Sequence, residues 1–262
     1  MVLKKDIAKI GDGISYIKME SYPGGKAIDG TFQVIINQIP PHKEFISGFL
    51  GHCGIARIKK AAELTIGIEP DQNTVKNWMA LDPNQAQGSF FNSFLIFNCK
   101  FLDIIDELLP LMEKPFLYLD PPYPRDSRKT DYAIYNHEMT DKQHKELITW
   151  CLEQKVPICL SSYPNKLYDK YLSTWRKVKF KSKTRAGSVV ESIYMNYPQP
   201  GELHDYRFIG KDFRQREKFK RRRTSMLRKF ENLTDREKFS LYEEFSSIIA
   251  KKRDAFRRVS PD

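Results

Sequence analysis

Long hydrophobic runs are missing from this chain of 262 residues. A membrane-spanning helix needs ~18 continuous apolar residues. The best stretch, Phe90 to Cys99, is interrupted by Asn92, Ser93 and Asn98. The beginning of the sequence carries Lys4, Lys5, Asp6 and Lys9 and lacks the apolar centre of a signal peptide. Cysteine is sparse: Cys53, Cys99, Cys151 and Cys159 stand far apart and form no Cys-x-x-Cys. That spacing excludes a disulfide framework, gives no metal site, and makes a reducing interior the expectation. Internal repeats and low-complexity tracts are also absent. What remains is the composition of a folded protein, 40% hydrophobic and 13% aromatic.

Charge is present in excess and unevenly. The net charge is +11, and Lys211 to Lys229 alone holds ten basic residues against Asp212 and Glu217, leaving +8 in that stretch. The remainder is a near-neutral body with a basic arm, which suggests an anionic partner. Periodicity predicts the same division. Up to Leu203, apolar strand-like runs alternate with helical stretches: Glu44–Ser47, a helix over 55–62, Leu64–Ile68, a helix over 71–81, and a strand over 114–119. A helix capped by Thr140 with Gln143 three residues on follows, then a strand over 156–160, a helix over 165–174 and a strand over 189–196. This alternation predicts a mostly parallel sheet covered on both faces. Residues 1–205 are read as the body and 206–262 as a charged helical extension.

The sharpest motif is Asp120-Pro121-Pro122-Tyr123, directly after the apolar run Phe116 to Leu119. That places it at the C-terminal end of a strand, where open α/β sheets bind ligands. The plain alternative is a proline-rich turn. Chemically, the tetrapeptide suits methylation of an exocyclic aryl amine, whose lone pair is conjugated into its ring. A carboxylate (Asp120) and a backbone carbonyl (Pro121) accepting the amino hydrogens draw the nitrogen toward tetrahedral geometry and stabilise its growing positive charge. Pro121 and Pro122 fix φ and hold the acceptors in place. Tyr123 offers a ring on which an extruded base stacks.

These residues carry a family resemblance. Over most of 20–200 the chain resembles the Dam-like (D12 class) N6-adenine DNA methyltransferases, especially compact phage-type members. Besides the tetrapeptide, the resemblance rests on Tyr22-Pro23-Gly24-Gly25-Lys26, on Phe49-Leu50-Gly51-His52-Cys53-Gly54, on Glu69 after Ile66-Gly67-Ile68, and on Asp103. Ser161-Ser162-Tyr163 and Glu191 to Tyr197 resemble later core strands. It implies a Rossmann-like S-adenosylmethionine-dependent methyltransferase fold, a seven-stranded and mostly parallel sheet, with the basic helical extension added. It implies S-adenosylmethionine as cofactor, bound by Tyr22, Lys26, Phe49, Gly51, Glu69 and Asp103. Tyr22 and Lys26 would close over its methionine end, and Glu69 would accept its ribose hydroxyls. Asp120, Pro121, Pro122 and Tyr123 would be catalytic. Gly51 and Gly54 would let the backbone approach the cofactor without a Cβ in the way.

Two departures matter. Ser47-Gly48 replaces the family's acid-Pro, with the following glycines three apart. Only Ile104 to Leu119 separates Asp103 from the tetrapeptide, too short for a target-recognition domain. Nucleic-acid contacts are therefore expected from Arg125 and Lys129 beyond the tetrapeptide and from Arg214, Arg216, Lys220, Arg221, Arg222 and Arg223 in the arm. The expected partner is double-stranded DNA, with structured RNA and a catalytically weak nucleic-acid-binding module as the alternatives. No membrane partner is expected, and a homodimer is left open. The resemblance implies a cytoplasmic protein of bacterial, phage or mobile-element context.

Overall fold

The computed structural model describes residues 7–10, 14–17, 19, 25–28, 30–80, 92–127, 136–184 and 187–259. Tyr22 and Lys129 lie outside the described residues. The elements run β1 (Ile7–Ile10), β2 (Ile14–Ile17), α1 (Thr31–Ile36), β3 (Glu44–Ser47), α2 (Gly54–Ile58), β4 (Leu64–Ile68), α3 (Gln72–Ala80), β5 (Phe94–Phe97), α4 (Ile105–Leu108), β6 (Pro115–Leu119), α5 (Asp141–Glu153), β7 (Ile158–Ser162), α6 (Lys166–Tyr171), β8 (Arg176–Thr184), β9 (Gly187–Met195), α7 (Phe213–Glu231) and α8 (Asp235–Val259). By compactness the chain divides into two units, Met1–Phe208 and Ile209–Asp262.

In the first unit β1 and β2 form a small antiparallel pair, and the other strands form one seven-stranded sheet of order β5-β4-β3-β6-β7-β9-β8. β3, β4, β5, β6 and β7 are parallel, and β9 runs antiparallel to both of its neighbours. This is the expected Rossmann-like methyltransferase architecture. Side chains alternate across it, so Phe45, Phe116 and Tyr118 pack on one face with α1, α2 and Trp78 of α3. Ile46, Leu117 and Leu119 pack on the other, against Leu147, Ile148 and Cys151 of α5 and Tyr168 of α6. Both faces of the central strands are buried, which is why they read as continuous apolar runs.

Several boundaries differ from expectation. The expected helix over 55–62 stops at Ile58, because Lys59 turns extended and the Lys60 N–H is taken by Asp205 at 2.8 Å. β5 and β8 are elements that the segment reading omitted. In β8 the alternation of Lys177, Lys179 and Lys181 with Val178, Phe180 and Ser182 is a strand signal, with lysines protecting the edge of the sheet. The Thr140–Gln143 capping box at the start of α5 is present as read.

The second unit is helical. α7 is capped by Asp212, whose carboxylate accepts the Gln215 N–H at 2.8 Å, and its arginines and lysines are exposed or half-buried. α8 leaves Phe239, Tyr242, Phe245, Ile248 and Ile249 exposed. Among the described residues no helix is long and apolar enough to cross a membrane.

Candidate active site

The chain reverses direction across the sheet between β3 and β6: β4 and β5 lie to one side of β3, and β6, β7, β9 and β8 to the other. Ligands of open α/β sheets bind outside the strand C-termini at such a switch point. Here the loops after β3, β4, β5 and β6 line a cavity of about 490 Å³. Phe49, Gly51, Glu69 and Asp103 contribute to its wall, as do Asp120 and Pro122. So do residues that the sequence reading did not single out for the cofactor, Asn136 to Met139 and Glu146 among them. Asn136 is tied back to Asp71 at 3.1 Å.

The loop after β3 is held from its peptide groups. The Gly51 N–H donates to one carboxylate oxygen of Glu69 at 2.7 Å, and the Asp71 N–H donates to the other at 2.9 Å. The Gly51 carbonyl accepts from the Trp78 indole at 2.7 Å. Gly51 adopts φ 41°, a left-handed conformation that favours glycine. Burial pushes the Glu69 carboxyl up from its ordinary value, and the two backbone N–H groups oppose this. Asp103 stands exposed in a short 3₁₀ turn, Phe101–Asp103. Cys53 is buried, and burial pushes its thiol up, which suits a helix-capping sulfur rather than a nucleophile.

Gly54 serves packing of the chain on itself. A Cβ there would stand 2.4 Å from the Ala27 backbone nitrogen and 2.7 Å from the Lys26 carbonyl carbon. The missing side chain lets the segment carrying Lys26 lie against the start of α2. The close approach that Gly54 permits in this structure is thus that of the Lys26–Ala27 backbone.

That segment delivers Lys26 to the tetrapeptide. Lys26 is buried, and its Nζ donates to both oxygens of Asp120, at 3.0 and 2.9 Å. Glu191 on β9 stands 3.5 Å from the same nitrogen. The Tyr123 hydroxyl lies 3.1 Å from Asp120, 3.2 Å from Ser161 and 3.1 Å from Glu191. Burial pushes the Asp120 carboxyl up; the charge and hydrogen bond of Lys26 pull it down, and Glu191 pushes it up again. Tyr123 presents no open stacking face in this structure. It is 3% exposed, its ring meets Tyr163 edge-on at 4.4 Å, and the Lys26 ammonium lies 4.9 Å from its centroid. Lys26 and Tyr123 thus belong to the Asp120 cluster and are absent from the cavity wall given above, whereas Phe49, Gly51, Glu69 and Asp103 share that wall. The sequence reading gave Glu191 no role; an acid inside the β-rich run Val189 to Asn196 was the available signal.

Arg125 is exposed in a short turn, Arg125–Ser127, just past the tetrapeptide. Arg214, Arg216, Lys220, Arg221, Arg222 and Arg223 all lie on α7.

Residues 54–186, about half of the chain, match the model of the D12 class N6 adenine-specific DNA methyltransferases. The chain belongs to that family. The matched span includes Glu69, Asp103 and the tetrapeptide, while Lys26, Phe49, Gly51 and Glu191 lie outside it. No curated protein matches the sequence. Among solved structures the chain is similar to a Pyrococcus abyssi tRNA (uracil-54, C5)-methyltransferase in complex with S-adenosyl-L-homocysteine. That likeness has 10% identity and a TM-score of 0.44 over 72% of this chain and 44% of that one. It is also similar to the M. jannaschii tRNA m1G37 methyltransferase, with 12% identity and a TM-score of 0.41 over 73% and 57% of the two chains. A third likeness is to magnesium protoporphyrin IX methyltransferase from Synechocystis with bound SAM, with 11% identity and a TM-score of 0.37 over 63% and 75%.

The D12 class transfers methyl groups from S-adenosylmethionine to nucleic acid. The cavity fits such a cofactor. A buried carboxylate, Glu69, is fixed by two peptide N–H groups with further lone pairs left over, and Phe49 supplies an apolar wall.

Proposed function

We propose that this chain methylates the N6 amino group of adenine in double-stranded DNA, with Asp120 and the Pro121 carbonyl as the acceptors of the amino hydrogens. The observation that carries the reading is the position of Asp120. It follows β6 at the switch point, it lines the same cavity as Glu69 and Asp103, and Pro121 and Pro122 follow it. Bound S-adenosylmethionine would supply an electrophilic methyl group on a sulfonium. Glu69 would accept hydroxyl hydrogens of its ribose, and Asp103 and Phe49 would hold the adenine end. Asp120 and Pro121 would polarise the target amine and position it beside the cofactor, so that proximity would supply much of the rate. Arg125 and the α7 arginines bind phosphates, which positions the nucleic acid without reading its sequence.

The test is transfer of labelled methyl from S-adenosylmethionine to adenine-rich duplex DNA and, in parallel, to structured RNA. Label on N6-methyladenine in the DNA arm is the expected result. Asp120→Ala lowers the rate by about 10²–10³, the scale of losing one aligned electrostatic partner. A variant as fast as the parent removes Asp120 from the reaction, and label confined to RNA reassigns the substrate.

A further inference from the structure

In this structure an ammonium group already occupies the place assigned to the target amine. Each oxygen of Asp120 accepts from Lys26, and Oδ1 also lies within reach of the Tyr123 hydroxyl. Lys26 is 3% exposed, so an amine arriving at Asp120 must displace a buried cation. Leaving such a cation unpaired is strongly unfavourable, because it has lost its hydration and gained no counter-charge. Glu191 lies 3.5 Å from the same nitrogen, and a shift of roughly 0.6 Å brings that pair to ordinary hydrogen-bond distance. Glu191 is itself 4% exposed and is anchored by the Tyr123 hydroxyl at 3.1 Å. It sits on β9, beside β7, while Asp120 follows β6 on the other side of β7. Two carboxylates from different strands therefore flank one lysine.

We propose that Glu191 is a positioning residue that provides Lys26 with a second seat, so that Lys26 passes from Asp120 to Glu191 as the target amine takes its place. The inference rests on the reading of Asp120 as the acceptor of an adenine amine. Lys26 keeps the Asp120 carboxylate ionised and paired while the site is empty of nucleic acid. Handing the ammonium to Glu191 frees acceptor capacity on Asp120 without leaving the buried ammonium unpaired. No bond is made or broken in the exchange; one ammonium changes partner. Two carboxylates and one lysine leave the cluster with one negative charge in excess, which complements the sulfonium of the cofactor and the positive charge that grows on the amine.

The seats are tested first without any reaction, by ¹⁵N NMR of the lysine ammonium groups in the 262-residue chain, with Lys26→Met identifying the Lys26 signal. A slowly exchanging Lys26 signal is expected in the parent. It persists in Asp120→Asn, where Glu191 holds the ammonium, and is lost in Asp120→Asn/Glu191→Gln. Loss of the signal in Asp120→Asn alone overturns the second seat. Kinetics then test its use. Glu191→Gln keeps the shape and an acceptor for Tyr123, and is expected to lower kcat by about tenfold or more with KM for both substrates within about threefold. Removing Lys26 as well makes the second seat unnecessary, so Lys26→Met/Glu191→Gln is at least as fast as Glu191→Gln. Additive losses, or a Glu191→Gln enzyme as fast as the parent, overturn the role. An ammonium that uses both seats in a protein that methylates no adenine in DNA upholds the exchange and overturns the substrate reading instead. If Glu191→Gln does not fold, the double variant and the Asp120→Asn spectrum still decide.

Discussion

Glu69 shows how one residue joins the cavity at the strand ends to the loop after β3. Its two oxygens are each taken by a peptide N–H, so the side chain is fixed before any ligand arrives. Glu69→Gln replaces one of those acceptors with a donor facing another donor, and removes the charge. Titration calorimetry with S-adenosylmethionine should show affinity weakened about 10- to 100-fold, the equivalent of one or two charge-assisted hydrogen bonds. Gly54 is sensitive for a different reason. Gly54→Ala drives a methyl group into the Ala27 backbone, which cannot rotate away as a side chain would. Overpacking of this kind costs about 1–3 kcal/mol, visible as a lower midpoint of thermal or denaturant unfolding. Because the displaced segment carries Lys26, methyl transfer should fall with it, whereas a substitution that merely loosened α2 would leave transfer intact in the folded fraction.

At the scale of elements, α7 collects the basic residues and gives them an address. Its arginines at 221, 222 and 223 lie on the one helix that carries most of the net charge. Replacing the three with Gln should weaken duplex binding and reduce the slope of log K against log salt by roughly one unit per lost phosphate contact. Calorimetry with S-adenosylmethionine should be unchanged; a parallel loss would mean that the helix also supports the cavity. Element types were legible wherever apolar residues ran in a consistent period: β4 and β6 were read within a residue of their ends. β5 is hard to read because Phe94–Phe97 is only four residues long and sits in an apolar run broken by Asn92, Ser93 and Asn98. β8 does show the two-residue alternation, but with lysine at every second position it offers too little apolar surface to read as a core strand, as suits an edge. The site residues were legible where a motif ties them to a strand end, as at Glu69 and Asp120. Glu191 was not, since its partner Lys26 lies far away in sequence: the order β6-β7-β9 sets Glu191 near Asp120, and packing of the Lys26 segment on the start of α2 brings the lysine to both.

The molecule as a whole carries a pH dependence remote from the cavity. His42 and His204 stack at 3.8 Å in the first unit beside the buried Lys59. Burial holds the His42 imidazole down at about 2, and burial also holds His204 down at about 4. Both are depressed below the unfolded value of 6.5, so the unfolded chain takes up protons that the folded chain refuses. The contribution of these two histidines is therefore fully present above pH 6.5 and declines as the pH falls toward 4, by up to about 1.4 kcal/mol per pH unit for each histidine that remains neutral. Unfolding midpoints between pH 7.5 and 4.5 should show this decline, and His42→Phe/His204→Phe should flatten it.

What the sequence by itself determined is the chemistry. The tetrapeptide at the end of an apolar strand, the acids at two further strand ends and the basic run in the arm are local, because strands, turns and charge runs are set by neighbours along the chain. The tertiary structure alone decided how those groups share their charges. Lys26, assigned by resemblance to the cofactor, lies on Asp120; Tyr123 is covered; Glu191 completes the cluster; and Gly54 is small for the sake of the Lys26 backbone. Each of these depends on segments tens of residues apart being brought within 4 Å. No periodicity or motif encodes such distances, which follow from strand order and from the need to pair every charge removed from water.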